Sequence, residues 1–194
     1  MKKKSISTLA IFLFISLHGF TQASWVLDKS HSDIRFTVTH MMISEVDGKF
    51  TEFNATVTGG DENFIGSNVE FSAKVSSIDT DNERRDDHLK SPDFFDEPSF
   101  PEIRFKGKIL KEGDHYFLAG DFTMKDIARS VTFDLKYNGQ VPGGRGKKAG
   151  FKVTGTIDRF DYGLTWNRNI ETGGLVVSRE VEITCNVQLN EEVE

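Results

Sequence analysis

The chain is poor in the residues that build covalent or metal-held frameworks. It has one cysteine, Cys185, so no intrachain disulfide can form and stability must come from a packed interior. Its five histidines fall in no H-E-x-x-H cluster, and their spacing is poor for a zinc centre. The G-x-S-x-G elbow and the G-x-G-x-x-G turn are both missing. Gly146-Lys147 has Val141 where a phosphate loop needs its upstream glycine. The four prolines, Pro92, Pro98, Pro101 and Pro142, mark no domain linker, and neither a charge block nor a low-complexity run separates two halves. Bases are outnumbered, 24 against 30 acids, for a formal charge of −6. Such a surface repels nucleic acid and anionic headgroups but allows contact with the apolar part of a lipid. No segment reaches the ~20 apolar residues that span a bilayer.

What is present begins with a leader. Lys2-Lys3-Lys4 precede an apolar run from Leu9 to Leu17, and small Thr21 and Ala23 stand before Ser24. This is the three-part pattern of a secretory signal. The expectation is a signal peptide at 1–23, removed before Ser24, with 24–194 forming one periplasmic or secreted domain. An uncleaved anchor is the alternative. A lipoprotein is disfavoured, because no cysteine lies near the cut.

Beyond the leader the dominant signal is period two, the mark of half-buried strands. Ile34, Phe36, Val38 and His40 share one face, as do Val69, Phe71, Ala73 and Val75. Ile103, Phe105 and Ile109 oppose Arg104, Lys106 and Lys108, and Val131, Phe133, Leu135 and Tyr137 alternate with polar residues. Phe50 falls out of parity with Phe53, Ala55 and Val57, which predicts a bulge near Thr51-Glu52. About eight strands result, joined by short turns such as Lys111–Asp114 and Glu171–Gly174; Asn138–Gly150 reads as a mobile hairpin loop. Asp79–Pro101 lacks a strand pattern. There Asp81-Asn82 predicts the cap of a helix from Glu83 to Lys90, stopped at Ser91-Pro92, within an aromatic flap holding Phe94, Phe95 and Phe100.

Antiparallel strands with one apolar face make a closed barrel or a two-sheet sandwich. The inward parity selects Phe36, Val38, Phe53, Phe71, Ala73, Phe105, Leu118, Phe122, Phe133, Leu135, Phe151, Val153 and Ile183 as an interior wall. Large rings among small Gly120, Ala73 and Gly155 suit a tunnel and a filled core equally. His31, His40, Arg85, His88 and Arg159 are candidates for a polar mouth. Arg85 belongs to the Arg84-Arg85-Asp86-Asp87 run, whose alternative role is a solvated, salt-bridged helix turn. A hydrolase reading needs His31, His88 and Asp86 to meet around a metal, or Ser30-His31-Ser32-Asp33 to act as a triad; neither spacing favours it. Cys185, on the apolar side of its strand, reads as a small buried hydrophobe.

Several segments together resemble the YceI family of secreted polyisoprenoid-binding proteins. The opening Trp25-Val26-Leu27-Asp28-Lys29-Ser30-His31-Ser32-Asp33-Ile34-Arg35-Phe36-Thr37-Val38-Thr39-His40 is similar to the family's W-x-x-D-x-x-H-S-x-I-x-F-x-V-x-H. Arg85-Asp86-Asp87-His88-Leu89-Lys90-Ser91-Pro92-Asp93-Phe94-Phe95-Asp96, Phe100-Pro101-Glu102-Ile103-Arg104-Phe105 and Ile157-Asp158-Arg159-Phe160-Asp161-Tyr162-Gly163 follow in order. In Gly120–Ile127, Phe122 and Asp126 stand where the pattern has Leu and Gly. The resemblance covers essentially all of 24–194. It implies an all-β, eight-stranded antiparallel lipocalin-like barrel with the flap at about 79–101. It further implies a binding protein without cofactor, metal or catalytic set, holding a polyisoprenoid, isoprenoid quinone, or fatty-acid or amide chain. Stable membrane insertion and nucleic-acid binding are not expected, and a homodimer is compatible with the family.

Overall fold

Alternation along each strand commits one face to a shared interior, and strand pairing closes that interior into a barrel. The computed structural model describes residues 23–168 and 175–193; residues 1–22 of the leader and the turn at Glu171–Gly174 lie outside them. The strands are β1 (Ser24–Leu27), β2 (Asp33–His40), β3 (Ser44–Phe50), β4 (Phe53–Thr58), β5 (Asn68–Lys74) and β6 (Ile78–Asp79). Helix α1 (Glu83–Lys90) follows, then β7 (Glu102–Glu112), β8 (His115–Met124), β9 (Ile127–Pro142), β10 (Lys147–Asp158) and β11 (Glu180–Glu191).

These eleven strands form eight antiparallel staves. β11 pairs with β2 through Ile183 opposite Phe36, and with β1 through Leu189 opposite Leu27, so β1 and β2 are two halves of one stave. β3 and β4 likewise share a stave, as β3 pairs with β2 and β4 with β1. β5 pairs with β4, and β6 continues it beside β3. Antiparallel pairs from β5 through β7, β8, β9, β10 and β11 complete the closure. A closed sheet leaves no exposed edge to pair with another chain.

The three divided staves explain the parity break at Phe50. Thr51-Glu52 separate β3 from β4, while a one-turn helix at Lys29–His31 and another at Val75–Ser77 interrupt the flanking staves. Asp28 caps the first turn, accepting from the Ser30 N–H at 3.2 Å and the Ser30 hydroxyl at 2.6 Å.

The helix is where the sequence predicts it, with the Asn82 side-chain oxygen accepting from the Arg85 N–H at 3.0 Å as N-cap. The mobile loop at Asn138–Gly150 is overturned. β9 and β10 continue to Pro142 and Lys147, pairing Gln140 with Ala149 and Val141 with Lys148. The ladder uses backbone groups and tolerates the polar, glycine-rich sequence, with a bulge at Gly150/Phe151 and Gly139 at φ 101° absorbing the irregularity. At the β8–β9 turn, Lys125 and Asp126 take φ of 48° and 57°, so a two-residue hairpin forms without the family's glycine.

The two barrel ends are covered differently. One holds the flap, the β2–β3 and β8–β9 hairpins and the described parts of the connection from β10 to β11, residues 159–168 and 175–179. The other is crossed by the loop at 59–67, where the Gln140 side chain donates to the Glu62 carbonyl at 3.0 Å from the far wall. Phe64, 2 % exposed, points into that end against Trp25, Phe151 and Tyr137 at 4.8, 5.0 and 5.6 Å between ring centres.

Candidate functional site

The inward faces do not fill the barrel. They leave a cavity of about 380 Å³, within the ~300–1,000 Å³ typical of small-molecule sites. Of the thirteen predicted wall residues, twelve line it: Phe36, Val38, Phe71, Ala73, Phe105, Leu118, Phe122, Phe133, Leu135, Phe151, Val153 and Ile183. Phe53 is the correction. It is buried and in register with Ala73, but it does not reach the open space. Parity tells which way a side chain faces; it does not tell how far along a stave the cavity extends.

Glycine opposite phenylalanine shapes the wall. A Cβ on Gly155 would sit 2.3 Å from Phe133 Cδ1, and one on Gly48 2.2 Å from Phe36 Cζ. Each ring therefore lies flat across its neighbouring strand, and part of the room implied by the small residues is taken by the rings themselves. Phe133 packs further against Phe105 and Phe122, at 6.2 and 6.1 Å, whereas Phe71 is half-buried and faces the open space. Cys185 is also in the wall; burial pushes its thiol up to about 12, which keeps it protonated and unreactive at neutral pH.

Polar side chains on this wall gather at the flap end: His40, Thr80, Arg85, His88 and Arg159. Arg35 borders the cavity on β2, but its side chain turns out to Asp33 at 3.2 Å. Arg85 Nε donates to Thr80 Oγ1 and Nη2 to the Thr80 carbonyl, both at 2.7 Å. Thr80 in turn donates its backbone N–H and its hydroxyl to Asp86 Oδ1, at 3.0 and 2.6 Å. The His88 ring stands edge-on to Phe94 and Trp166, each 5.0 Å away, and its Nε2 is 3.1 Å from Asp93.

Arg159 is 4 % exposed and fastens the connection over this end. Nε donates to the Ser178 carbonyl at 2.8 Å, Nη1 to the carbonyls of Leu164 and of Trp166 (3.0 Å), and Nη2 to that of Val177 at 3.3 Å. Burial lowers its pKa, yet a guanidinium stays charged, and four carbonyl dipoles take the place of a carboxylate. Its outer neighbours, Asp158 and Arg179, pair with each other at 2.5 Å.

His31 is the second correction. It does not line the cavity; it sits outside the barrel where β1 and β2 part, 62 % exposed, with Nδ1 3.1 Å from Asp28. Bonds from Ser30, His31 and Lys148 hold the Asp28 carboxyl far below the usual range, so this cluster is a surface staple. The structure therefore does not bring His31 together with His88 and Asp86, and Asp86 is committed to Thr80. Among the described residues, no group of three or more His, Cys, Asp and Glu could hold a metal ion. The interruption at Lys29–His31, invisible to alternation, is what turns His31 outward.

Sequence reading missed Phe64 and Trp166. Phe64 is a lone aromatic in Gly59-Gly60-Asp61-Glu62-Asn63-Phe64-Ile65-Gly66-Ser67, an odd occupant for so polar a loop. Trp166, half-buried on the connection after β10, had no alternation to mark it.

This geometry has relatives. A UPF0312 protein of Staphylococcus aureus is 36 % identical over 169 residues, covering 86 % of this chain and 97 % of its own. A Campylobacter jejuni YCEI protein superposes with a TM-score of 0.69 at 27 % identity, covering 87 % and 97 %. Burkholderia cenocepacia BcnA, at TM-score 0.70 and 22 % identity over 84 % and 98 %, shares the fold. So does a polyisoprenoid binding domain from Saccharophagus degradans implicated in plant cell wall breakdown, at TM-score 0.64 and 12 % identity over 87 % and 98 %. The model of the YceI-like domain matches residues 25–189, from the first buried tryptophan to the last buried leucine of the barrel, and the chain belongs to the YceI family.

Proposed function

We propose that the protein is a non-enzymatic carrier that holds a long apolar chain, an isoprenoid or acyl lipid, inside the barrel. One observation carries this reading: a cavity walled by aliphatic and aromatic side chains, with its polar groups confined to one end. Each methylene buried there gains about 0.8 kcal/mol. The same fold serves as a polyisoprenoid binding domain in Saccharophagus degradans, which supports the lipid class. The asymmetry of the wall sets a direction. The tail lies toward Phe64, and a carbonyl, hydroxyl or amide head meets Arg85, His88 and His40. The hydrolase reading has lost the meeting of His31, His88 and Asp86 on which it depended.

Mass spectrometry of organic extracts from the native protein should find a long-chain lipid near one per barrel. Bound zinc with no lipid would overturn the reading. A substitution sharpens the test. Phe71→Ala should cost the delipidated protein clearly less than the ~3–5 kcal/mol of a packed phenylalanine, because it enlarges a space already open. It should also weaken binding of a fluorescent isoprenoid. Phe133→Ala, whose ring rests on Gly155 and two other rings, should cost the full amount. Equal costs, with binding untouched in both, would mean that the interior is a filled core.

The carrier works outside the cytoplasm in this proposal, on the strength of the leader. Intact mass of the exported protein should begin at Ser24. Retention of residues 1–23 in a membrane fraction would count against that.

A further inference from the structure

The β2–β3 hairpin carries an apolar tip that neither the barrel nor the cavity uses. Met41, Met42 and Ile43 are 41, 68 and 85 % exposed. Six large apolar residues are exposed among the described residues, and three of them are consecutive here. Single exposed apolar residues are ordinary; a contiguous cluster marks a contact surface. The turn does not ask for these residues. The His40 carbonyl accepts from the Ile43 N–H at 3.2 Å, and Met41 and Met42 hold φ of 51° and 65°, a conformation suited to Asn, Asp and Gly. Methionine forgoes that preference and supplies flexible apolar surface instead. The tip also stands on the rim of the cavity. His40 pairs with Val177, the Met41 N–H donates to the Val176 carbonyl at 2.8 Å, and His40, Val176 and Val177 all line the cavity.

We infer that this tip docks the mouth of the cavity onto the surface of a zwitterionic bilayer. Area and charge fix the occupant. Three such side chains offer on the order of 300 Å² of apolar surface, short of the ~800 Å² each partner contributes to a stable dimer. Insertion into the headgroup–acyl boundary needs no matching surface. Glu45 and Asp47 are exposed on β3 beside the tip and outnumber the exposed Arg168, whose carbonyl accepts from the Val176 N–H, so the local charge is negative and anionic headgroups weaken the contact. With the tip inserted, a lipid chain passes between bilayer and cavity without crossing water. The purpose of this docking rests on the carrier reading, but docking is measured apart from it.

The test uses delipidated protein and sedimenting phosphatidylcholine vesicles, comparing the wild type with a Met42→Ser, Ile43→Ser double variant. The wild type should partition onto the vesicles, more weakly when part of the lipid is phosphatidylglycerol. The variant should partition at least about tenfold more weakly, with unchanged melting temperature. Equal partitioning of the two, or none by the wild type, would overturn the inference. So would a wild-type dimer that the variant dissociates while neither binds vesicles. If the tip-dependent partitioning holds but extracts contain no lipid, the docking stands and the carrier reading falls.

Discussion

Arg159→Ala is expected to destabilise the barrel by about 3–5 kcal/mol and to loosen the connection from β10 to β11. The side chain is buried and donates to four backbone carbonyls, those of Leu164, Trp166, Val177 and Ser178. Hydrogen bonds from a charged donor contribute about 1.5–3 kcal/mol each, and truncation leaves the carbonyls to be resatisfied by water in a tight space. For a domain of this size the loss corresponds to a fall in melting temperature on the order of 10 °C. Arg159→Lys should recover only part, since one ammonium cannot span four acceptors spread over the fork of a guanidinium. Trp166 and Val177 line the flap end of the cavity, so the alanine variant should also release bound lipid faster. Thermal melting together with amide exchange at Met41 and Ser178 reads both effects. Their N–H groups bond to the Val176 and Thr39 carbonyls, on and beside the fastened connection. A melting shift under about 2 °C would mean that Arg159 does not hold this end together.

Phe64→Ala carries the second large effect, at the opposite end. The ring is 2 % exposed and touches Trp25, Tyr137 and Phe151, so its removal should cost about 3–5 kcal/mol. Its backbone sits at φ 67°, in the left-handed region, and the Asp61 carboxylate accepts from the N–H groups of Asn63 and Ile65 at 2.9 and 2.8 Å. The loop thus accepts local strain to aim one aromatic inward. Phe64→Gly should recover part of the loss, since glycine takes this φ freely, although the cavity it leaves is larger. Both variants should shorten the residence of a fluorescent isoprenoid by opening the closed end. If Phe64→Ala costs no more than Phe71→Ala, the loop at 59–67 lies over the barrel without plugging it.

Local chemistry was legible in the sequence. Alternation in Ile34–His40, Val131–Tyr137 and Phe151–Val153 named the inward side chains, because the face of a strand residue depends only on its own parity. Asn82 and Ser91 bounded α1, because caps act within one turn. The irregularity at Thr51-Glu52 showed as a slip of parity and read as a bulge, where the structure ends β3 at Phe50 and begins β4 at Phe53. Long-range geometry was not legible. Leu27 meets Leu189 and Phe36 meets Ile183 only through closure of the sheet, and closure decides which loops share an end. For that reason His31 and His88, candidates for one site by residue type, stand apart, while Arg159 gathers carbonyls from both sides of the connection. Whether Gly155 and Gly48 left room also depended on where Phe133 and Phe36 lay across the neighbouring strands. The amino-acid sequence determined which residues face inward, because that follows from backbone periodicity. Only the tertiary structure decided that the interior stays open, with Phe64 packed on Trp25, Tyr137 and Phe151 toward one end and polar groups gathered at the other, because volume and proximity are set by pairings distant along the chain.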